Sequence, residues 1–397
     1  MDALTTPSNW QKVRLGDIAE IIGGGTPSTQ ITSFWNGSIN WFTPTEIGIT
    51  KYVYKSQRTI TPLGLKNSSA KLLPIGTILL TSRASIGDCA ILKVVATTNQ
   101  GFQSLIPLEK INNEFLYYLI LTLKNKLLKL ASGSTFLEVS PNKIKNLLIP
   151  LPPLNEQIAI ANILSALDHY LCALDALILK KEGVKKALSF ELLSQRKRLK
   201  GFNQNWQKVK VKDFGIIITG STPLTQISEY WNGTISWITP TDINDNKDIF
   251  NSERKITQKG LDTIRMIPKN SVLVTCIASI GKNAILRVNG ACNQQINAII
   301  PNKDFNADFV YYLMENNKQY LLGKAGVTAT YIISKQVFEE IDFFVPKDLN
   351  EQIAIANILS GLDSEIISLK NKKRQFENIK KALNHDLMSA KIRVLNK

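Results

Sequence analysis

The sequence predicts an α/β (α+β) protein: two similar globular domains separated by two long helices that form an antiparallel coiled coil, with a pseudo-two-fold internal repeat. Three observations predict it. The twelve residues from Leu154 to Ser165 return unchanged as Leu349 to Ser360, 195 positions later. Each copy opens a long apolar pattern of helical spacing, and each is preceded by a Gly- and Pro-punctuated stretch whose strings also recur. A chain that repeats itself in this way is read as two copies of one unit.

Residues 1–152 make the first domain. Trp10-Gln-Lys-Val returns as Trp206-Gln-Lys-Val, and Thr26–Ile47 returns, with substitutions, as Thr222–Ile243. Their Gly and Pro content predicts turns and loops between short strands. Ile78–Gly87 matches Val272–Gly281 as a buried strand running into a turn, and Asn99-Gln-Gly-Phe102 matches Asn293-Gln-Gln-Ile296 on the next strand. Phe115-Leu-Tyr-Tyr-Leu119 and Phe309-Val-Tyr-Tyr-Leu313 read as helical.

Residues 153–200 make the first long helix. Pro152 and Pro153 exclude an earlier start, Asn155 suits an N-cap, and Glu156 places charge where the helix dipole favours it. The seam runs through Ile160, Leu164, Leu167, Leu171, Leu174 and Ile178, then Leu188 and Leu192, with Lys181 and Lys185 interrupting it. A helix of about 40 residues spans about 60 Å. Basic residues from Arg196 onward and Gly201 supply its end.

The second domain, 201–347, and the second helix, 348–397, repeat this plan. Asn350 and Glu351 take the places of Asn155 and Glu156. The second seam is Ile355, Leu359, Leu362, Ile366 and Leu369, then Phe376, Ile379, Leu383 and Leu387, with Lys373 and Lys380 as interruptions. Apolar residues spaced alternately by four and three bury themselves against another helix. A pseudo-two-fold axis makes the pair antiparallel and brings the tail near Lys391 to the first domain.

Charge narrows the function. Lys and Arg outnumber Asp and Glu 48 to 32, a net +16 across 397 residues. That excess suits a polyanion, DNA or RNA ahead of a membrane, although solubility alone also accounts for it. No apolar run approaches the roughly 18 residues of a membrane span, and the N-terminus has no signal-peptide pattern, so a cytoplasmic location is expected. Cys89, Cys172, Cys276 and Cys292 lack disulfide or zinc-knuckle spacing, and no metal site is expected.

Several strings together carry a resemblance: Gly-Gly-Thr-Pro-Ser at 24–28, Trp-Asn-Gly followed by Thr-Pro-Thr-Glu/Asp-Ile, Ser-Arg-Ala-Ser-Ile-Gly at 82–87, Asn-Gln-Gly-Phe at 99–102 and Gly-Ser-Thr-Phe at 133–136. With Pro-Leu-Pro-Pro-Leu-Asn-Glu-Gln ahead of a long helix, the chain resembles the DNA specificity (S) subunit of type I restriction-modification systems over its whole length. The resemblance implies two target-recognition domains, each reading half of a bipartite, asymmetric sequence in double-stranded DNA. It implies assembly with two modification (methyltransferase) subunits and, in the full complex, two restriction subunits. S-adenosylmethionine, ATP and Mg²⁺ then belong to those partners, and this chain carries no cofactor and no catalysis of its own.

The second half departs from the pattern at Ile277, Gln295-Ile296 and Val327–Tyr331, so these strings need not play one role twice. Arg83, entering a turn, could grip guanine; the alternatives are a phosphate contact or an ion pair. Asn99, Gln100, Asn293 and Gln294 could meet adenine or instead hold loops together. Ser134 and Thr135 belong to the same candidate surface. Trp35, Trp41, Trp231 and Trp237 read as core packing ahead of base stacking. Lys51, Lys55, Arg58, Lys66, Lys247, Arg254, Lys255, Lys259 and Arg265 are candidates for a phosphate-tracking surface, each alternatively a solvated charge. Residues 48–58 and 244–254 have equal length and different chemistry, as different half-sites require and as drift of a surface loop also produces. The mid-helix cations Lys180, Lys181, Lys185, Lys186, Lys370, Lys372, Lys373 and Arg374 either face DNA or form a solvated face.

Three other functions find little support. Pro152-Pro153 is flanked by leucines and so offers no amide or carboxylate to a target amino group, and Gly23-Gly24-Gly25 leads into Thr-Pro and no helix. The nuclease-like set Asp248, Glu253 and Lys255 has Tyr52, Gln57 and Thr59 in the first half, which cannot hold a metal. A coiled-coil adaptor that never touches DNA is the remaining rival, and the charge argues against it.

Overall fold

The structure, a computed structural model, describes residues 9–133, 137–244, 246–327 and 331–394. Two compact units divide it, one of residues 1–175 with 371–397, the other of residues 176–370. Each unit therefore holds part of both long helices.

The first unit runs through β1 (Gln11–Arg14), β2 (Ala19–Gly23), β3 (Trp35–Phe42), β4 (Tyr52–Val53), β5 (Arg58–Ile60), α1 (Pro62–Lys66), β6 (Ile78–Leu80), β7 (Cys89–Leu92), β8 (Ala96–Thr98) and β9 (Gln103–Pro107). It continues with α2 (Asn113–Leu130), α3 (Pro141–Lys145), β10 (Leu148–Leu151) and the start of α4 (Leu154–Leu193). The strands form a five-stranded sheet in the order β2-β9-β6-β7-β4, a three-stranded sheet β5-β3-β8 and the pair β1-β10. β6 is apolar at every position because both its faces are covered: Ile78 and Leu80 join the core beneath α2, while Leu79 packs with Phe42 and Phe102. α2 starts where Asn112 accepts the Phe115 N–H at 2.9 Å, satisfying a helix donor that would otherwise be orphaned.

The second unit repeats the order with β11 (Gln207–Lys210), β12 (Gly215–Thr219), β13 (Trp231–Ile238), β14 (Asp248–Ile249), β15 (Lys255–Ile256), α5 (Gln258–Leu261), β16 (Ser271–Thr275), β17 (Asn283–Leu286), β18 (Gly290–Cys292) and β19 (Ile296–Pro301). Then come α6 (Ala307–Asn316), α7 (Lys318–Leu322), β20 (Gly326–Val327), β21 (Tyr331–Ile332), α8 (Lys335–Glu340), β22 (Asp342–Val345) and α9 (Leu349–Met388). Its sheets are β12-β19-β16-β17-β14, β15-β13-β18, β11-β22 and β20-β21.

Trp-Asn-Gly, within a string read as turns and loops between short strands, is the start of a bulged strand. The β3 pairing to β5 shifts register between Trp35 and Ile39, with Asn36 at φ 61°. A Cβ on Gly37 would meet the Ile60 carbonyl oxygen at 2.5 Å, so only glycine lets the two strands approach.

Within each unit the two helices run antiparallel. In the first, Asp168 pairs with Lys380 and Asp175 with Lys373, and the rings of Tyr170 and Phe376 lie 4.7 Å apart. In the second, Lys181 pairs with Glu365 and Lys185 with Asp363. Ile160, Leu164, Leu174, Ile178, Leu192, Ile355, Leu359, Ile366 and Leu387 are buried, and Leu167, Leu171, Leu188, Leu362, Leu369, Phe376 and Leu383 half-buried. The ends of the seam also enter the globular cores, Ile160 and Leu164 in one unit and Ile355 and Leu359 in the other. A fully buried Leu or Ile contributes about 1.5–3 kcal/mol, against about 0–1 for a half-exposed ion pair. The apolar seam therefore supplies the stability and the charged pairs the register.

Several sequence expectations need correction. Neither Asn155 nor Asn350 is the cap: the Glu156 and Gln157 N–H groups meet the Pro153 carbonyl, and Asp348 takes that place in the second copy. α4 ends eight residues before Gly201, at Leu193, because Gln195 turns the chain with φ 61°. α9 likewise ends at Met388, ahead of Ala390 at φ 58°. Ile379 is 50% exposed and lies outside the seam, its place taken by Lys380. Of the mid-helix cations, Lys181, Lys185, Lys370 and Lys373 are paired to acids of the other helix, which explains both interruptions. Finally, α4 does contain an 18-residue window of mean hydropathy 1.3, of which 17% is buried, so one helix is long and apolar enough for a membrane span.

Candidate nucleic-acid interface

In each unit the recurring strings are drawn together at the ends of the two larger sheets. Gly24 lies so close to Asn99 that an added Cβ would stand 1.9 Å from its carbonyl oxygen, and a Cβ added to Gly220 would stand 2.1 Å from that of Asn293. The Trp41 and Trp35 indoles donate to the Gly25 and Ser28 carbonyls at 2.8 and 3.0 Å, and Trp237 and Trp231 do the same for Ser221 and Leu224. Trp35 and Trp41 meet edge to face at 5.0 Å, Trp231 and Trp237 at 5.1 Å. These tryptophans hold the loop from beneath.

Asn99 accepts the Gly101 N–H at 2.8 Å, and Asn293 accepts that of Gln295 at 3.1 Å; both amide oxygens are engaged in their own turn. Gln100 and Gln294 are exposed. Each has its carbonyl oxygen held by a threonine hydroxyl, Thr26 and Thr222 respectively, which leaves the N–H₂ end of the amide as its donor.

The basic candidates divide. Arg58 lies 3.8 Å over the Trp35 ring and Arg254 4.0 Å over Trp231, contacts that hold a guanidinium in place while leaving its edge to solvent. Lys55, Lys66 and Arg265 are exposed, Lys255 is half-buried, and Lys259 pairs with Glu229 at 2.6 Å. Ser134 and Thr135 lie outside the described residues. The variable segments 48–58 and 244–254 are tied down by one device: Glu46 accepts the Gln57 N–H at 2.7 Å, and Asp242 that of Glu253 at 2.9 Å.

Lys51, Lys247 and Arg83 do not join an open basic surface. Lys51 has only 11% of its side chain exposed; it pairs with Glu114 and donates to Tyr118 and Ser165 at 2.8 and 2.7 Å. Lys247 repeats this with Asp308 and Ser360. Arg83 pairs with Glu138 at 2.8 Å, across an isolated bridge whose counterpart joins Ile277 to Ile332. At the matching bridge the second half has two isoleucines where the first has the ion pair. Asp248, the nuclease-like acid, accepts from Arg287 at 2.6 Å. Among the described residues no cluster of His, Cys, Asp and Glu could hold a metal. The cysteines are free thiols, and burial pushes those of Cys276 and Cys292 up to about 12.

Two constellations escaped sequence reasoning. Glu156, 2% exposed, receives the Trp10 indole at 3.1 Å and Arg393 at 2.7 Å; Glu351 receives Trp206 at 3.1 Å and Arg198 at 3.4 Å. The tail does therefore reach the first domain, as the pseudo-symmetry requires. The second constellation surrounds Tyr118, whose hydroxyl donates to Asp168; Tyr312 donates to Asp363 at 2.6 Å. Burial first, and then the acceptor carboxylate, raises both phenols well above their ordinary range. Recurrence of Tyr118, Asp168 and Lys380 as Tyr312, Asp363 and Lys185 was the available signal.

A profile of the type I restriction modification DNA specificity domain matches residues 7–181 and again 203–378. The chain belongs to this family. It is 43% identical over 166 residues to the MjaIX specificity subunit of Methanocaldococcus jannaschii, covering 41% of this chain and 38% of that one. The chain thus spans about two-fifths of the length of this relative. With the MjaVIII specificity subunit of the same organism it shares 25% over 431 residues, 100% of this chain and 96% of the relative. The S subunit of the M. genitalium type I system superposes with a TM-score of 0.60 at 16% identity, covering 98% of each chain. The two-domain layout with paired long helices is therefore the fold of the type I specificity family.

Proposed function

We propose that this chain reads a bipartite, asymmetric target in double-stranded DNA, one half-site per domain, and positions partners that do the chemistry. The observation that carries this reading is a constant frame around a variable loop, present twice: the Trp pair, the Arg stacked on it and the Glu46 or Asp242 tie recur, while 48–58 and 244–254 differ. Arg58, Arg254, Lys55, Lys66, Lys255, Lys259 and Arg265 are assigned to phosphates, which take half or more of the contacts in such interfaces. Gln100 and Gln294, each with its carbonyl oxygen engaged, are assigned as donors to base acceptors. The partners are two methyltransferase subunits and, in the full complex, two restriction subunits. S-adenosylmethionine, ATP and Mg²⁺ are assigned to them and no cofactor to this chain, in a cytoplasmic setting.

Methylome sequencing of a host expressing this chain with its methyltransferase partner tests the reading. Two short motifs separated by a fixed unread gap are expected; a continuous motif, or none, overturns it. Filter binding across a salt series separates the DNA reader from an adaptor, because neutralising several phosphates makes log K fall steeply with log[salt].

A further inference from the structure

We infer that Tyr118, Asp168 and Lys380 in the first unit, with Tyr312, Asp363 and Lys185 in the second, are positioning residues that determine which gap between half-sites the protein accepts. The inference rests on the bipartite reading above. Each domain meets α4 or α9 first at the helix start, where Gln157 receives the Asn112 N–H at 2.8 Å and donates to the Lys110 and Pro152 carbonyls at 3.1 and 2.9 Å. Ile160 and Leu164 then enter the core of the first domain, and Ile355 and Leu359 that of the second. Asp168 lies about 17 Å further along, at 1.5 Å per residue, and supplies the second polar attachment.

That second attachment joins three elements. The Tyr118 hydroxyl, on α2, donates to Asp168 of α4. Lys380 of α9 donates to the same carboxylate, and Asn384 of α9 donates to the Tyr118 carbonyl at 3.3 Å. Lys51, beside β4, donates to the Tyr118 and Ser165 hydroxyls, so the variable segment 48–58 is bound to the same node near its start. The second unit repeats the node with Tyr312, Asp363, Lys185 and Lys247. Apolar contact is non-directional. Bonds to a shared carboxylate in a half-buried site are directional, and a shift of 1 Å breaks them. Adding or removing one base pair moves a half-site by about 3.4 Å, which a domain held at two points cannot follow.

The test uses the full chain in complex with its methyltransferase subunits, and duplexes carrying both half-sites at the native gap or one base pair longer or shorter. The wild type is expected to prefer the native gap by about a hundredfold, comparable to a single mismatched base pair at 1–3 kcal/mol. Asp168→Asn and Lys380→Met are expected to lower that preference by at least about tenfold, while discrimination against a base change inside a half-site stays as in the wild type. Lys380→Arg is expected to restore it. If Asp168→Asn does not fold, Tyr118→Phe, which keeps the ring, takes its place. A cooperatively folded variant with wild-type gap preference overturns the inference, and so does equal loss of gap and base discrimination. A wild type indifferent to the gap defeats the bipartite reading, and the inference with it.

Discussion

Tyr118 and Tyr312 illustrate how much one buried polar atom fixes. Each phenol is largely buried and donates a hydrogen bond to a carboxylate, Asp168 or Asp363, so ionising it would set two negative charges side by side in a site partly removed from water. Both phenols are raised from the ordinary value of 10.0. The folded chain therefore holds these protons more tightly than the unfolded chain, and the stability they contribute is whole below pH 10 and declines above it. Denaturant melts at pH 9, 10 and 11 should show stability falling over that range, with tyrosinate absorbance from these residues arising only on unfolding. A smaller fall is expected in the Tyr118→Phe, Tyr312→Phe double variant.

At the scale of elements, the two halves solve one problem differently. β4 and its leading lysine are tied to the adjacent helix in both, but Tyr52 donates to Glu114 at 2.8 Å in the first, whereas Arg287 bridges Asp248 and Asp308 at 2.6 and 2.8 Å in the second. Removing Lys51 leaves Glu114 with a neutral partner; removing Lys247 leaves Asp308 with a full guanidinium. Lys51→Met should cost about 2 kcal/mol, as for a partly buried charge that loses its mate, and Lys247→Met clearly less. Chemical denaturation of the two variants, followed by a probe in each unit, checks the order. The helix pair follows a related logic. Lysines that break the apolar pattern at 181, 185, 373 and 380 each find an acid on the opposite helix, so the lapses in the seam are its register marks.

For the whole molecule, the proposed function makes the length of the helix pair a functional quantity. Inserting one turn, about 5.4 Å, into both α4 and α9 should lengthen the unread gap by about 1 to 2 base pairs at about 3.4 Å each, with both half-site motifs unchanged. Methylation-site mapping of the insertion variant checks it, and an unchanged gap would show that the helices do not set the spacing.

The repeat, the long helices and the apolar seam were legible in the chain, because each depends on spacing along the sequence: 195 residues between copies, and threes and fours within a helix; the family was legible only through the strings that carry the resemblance. The bulge at Trp35, the end of α4 at Leu193 and the true helix caps were not, because short-range signals there compete and packing chooses between them. Nor could the sequence say which cations remain open to DNA. Lys51 and Lys55 look alike in the string, yet one is locked to Glu114, Tyr118 and Ser165 while the other is exposed. The residues that decide this difference lie 63 to 114 positions away from Lys51, and only folding brings a charge and its partner within the 4 Å or so over which pairing outweighs hydration.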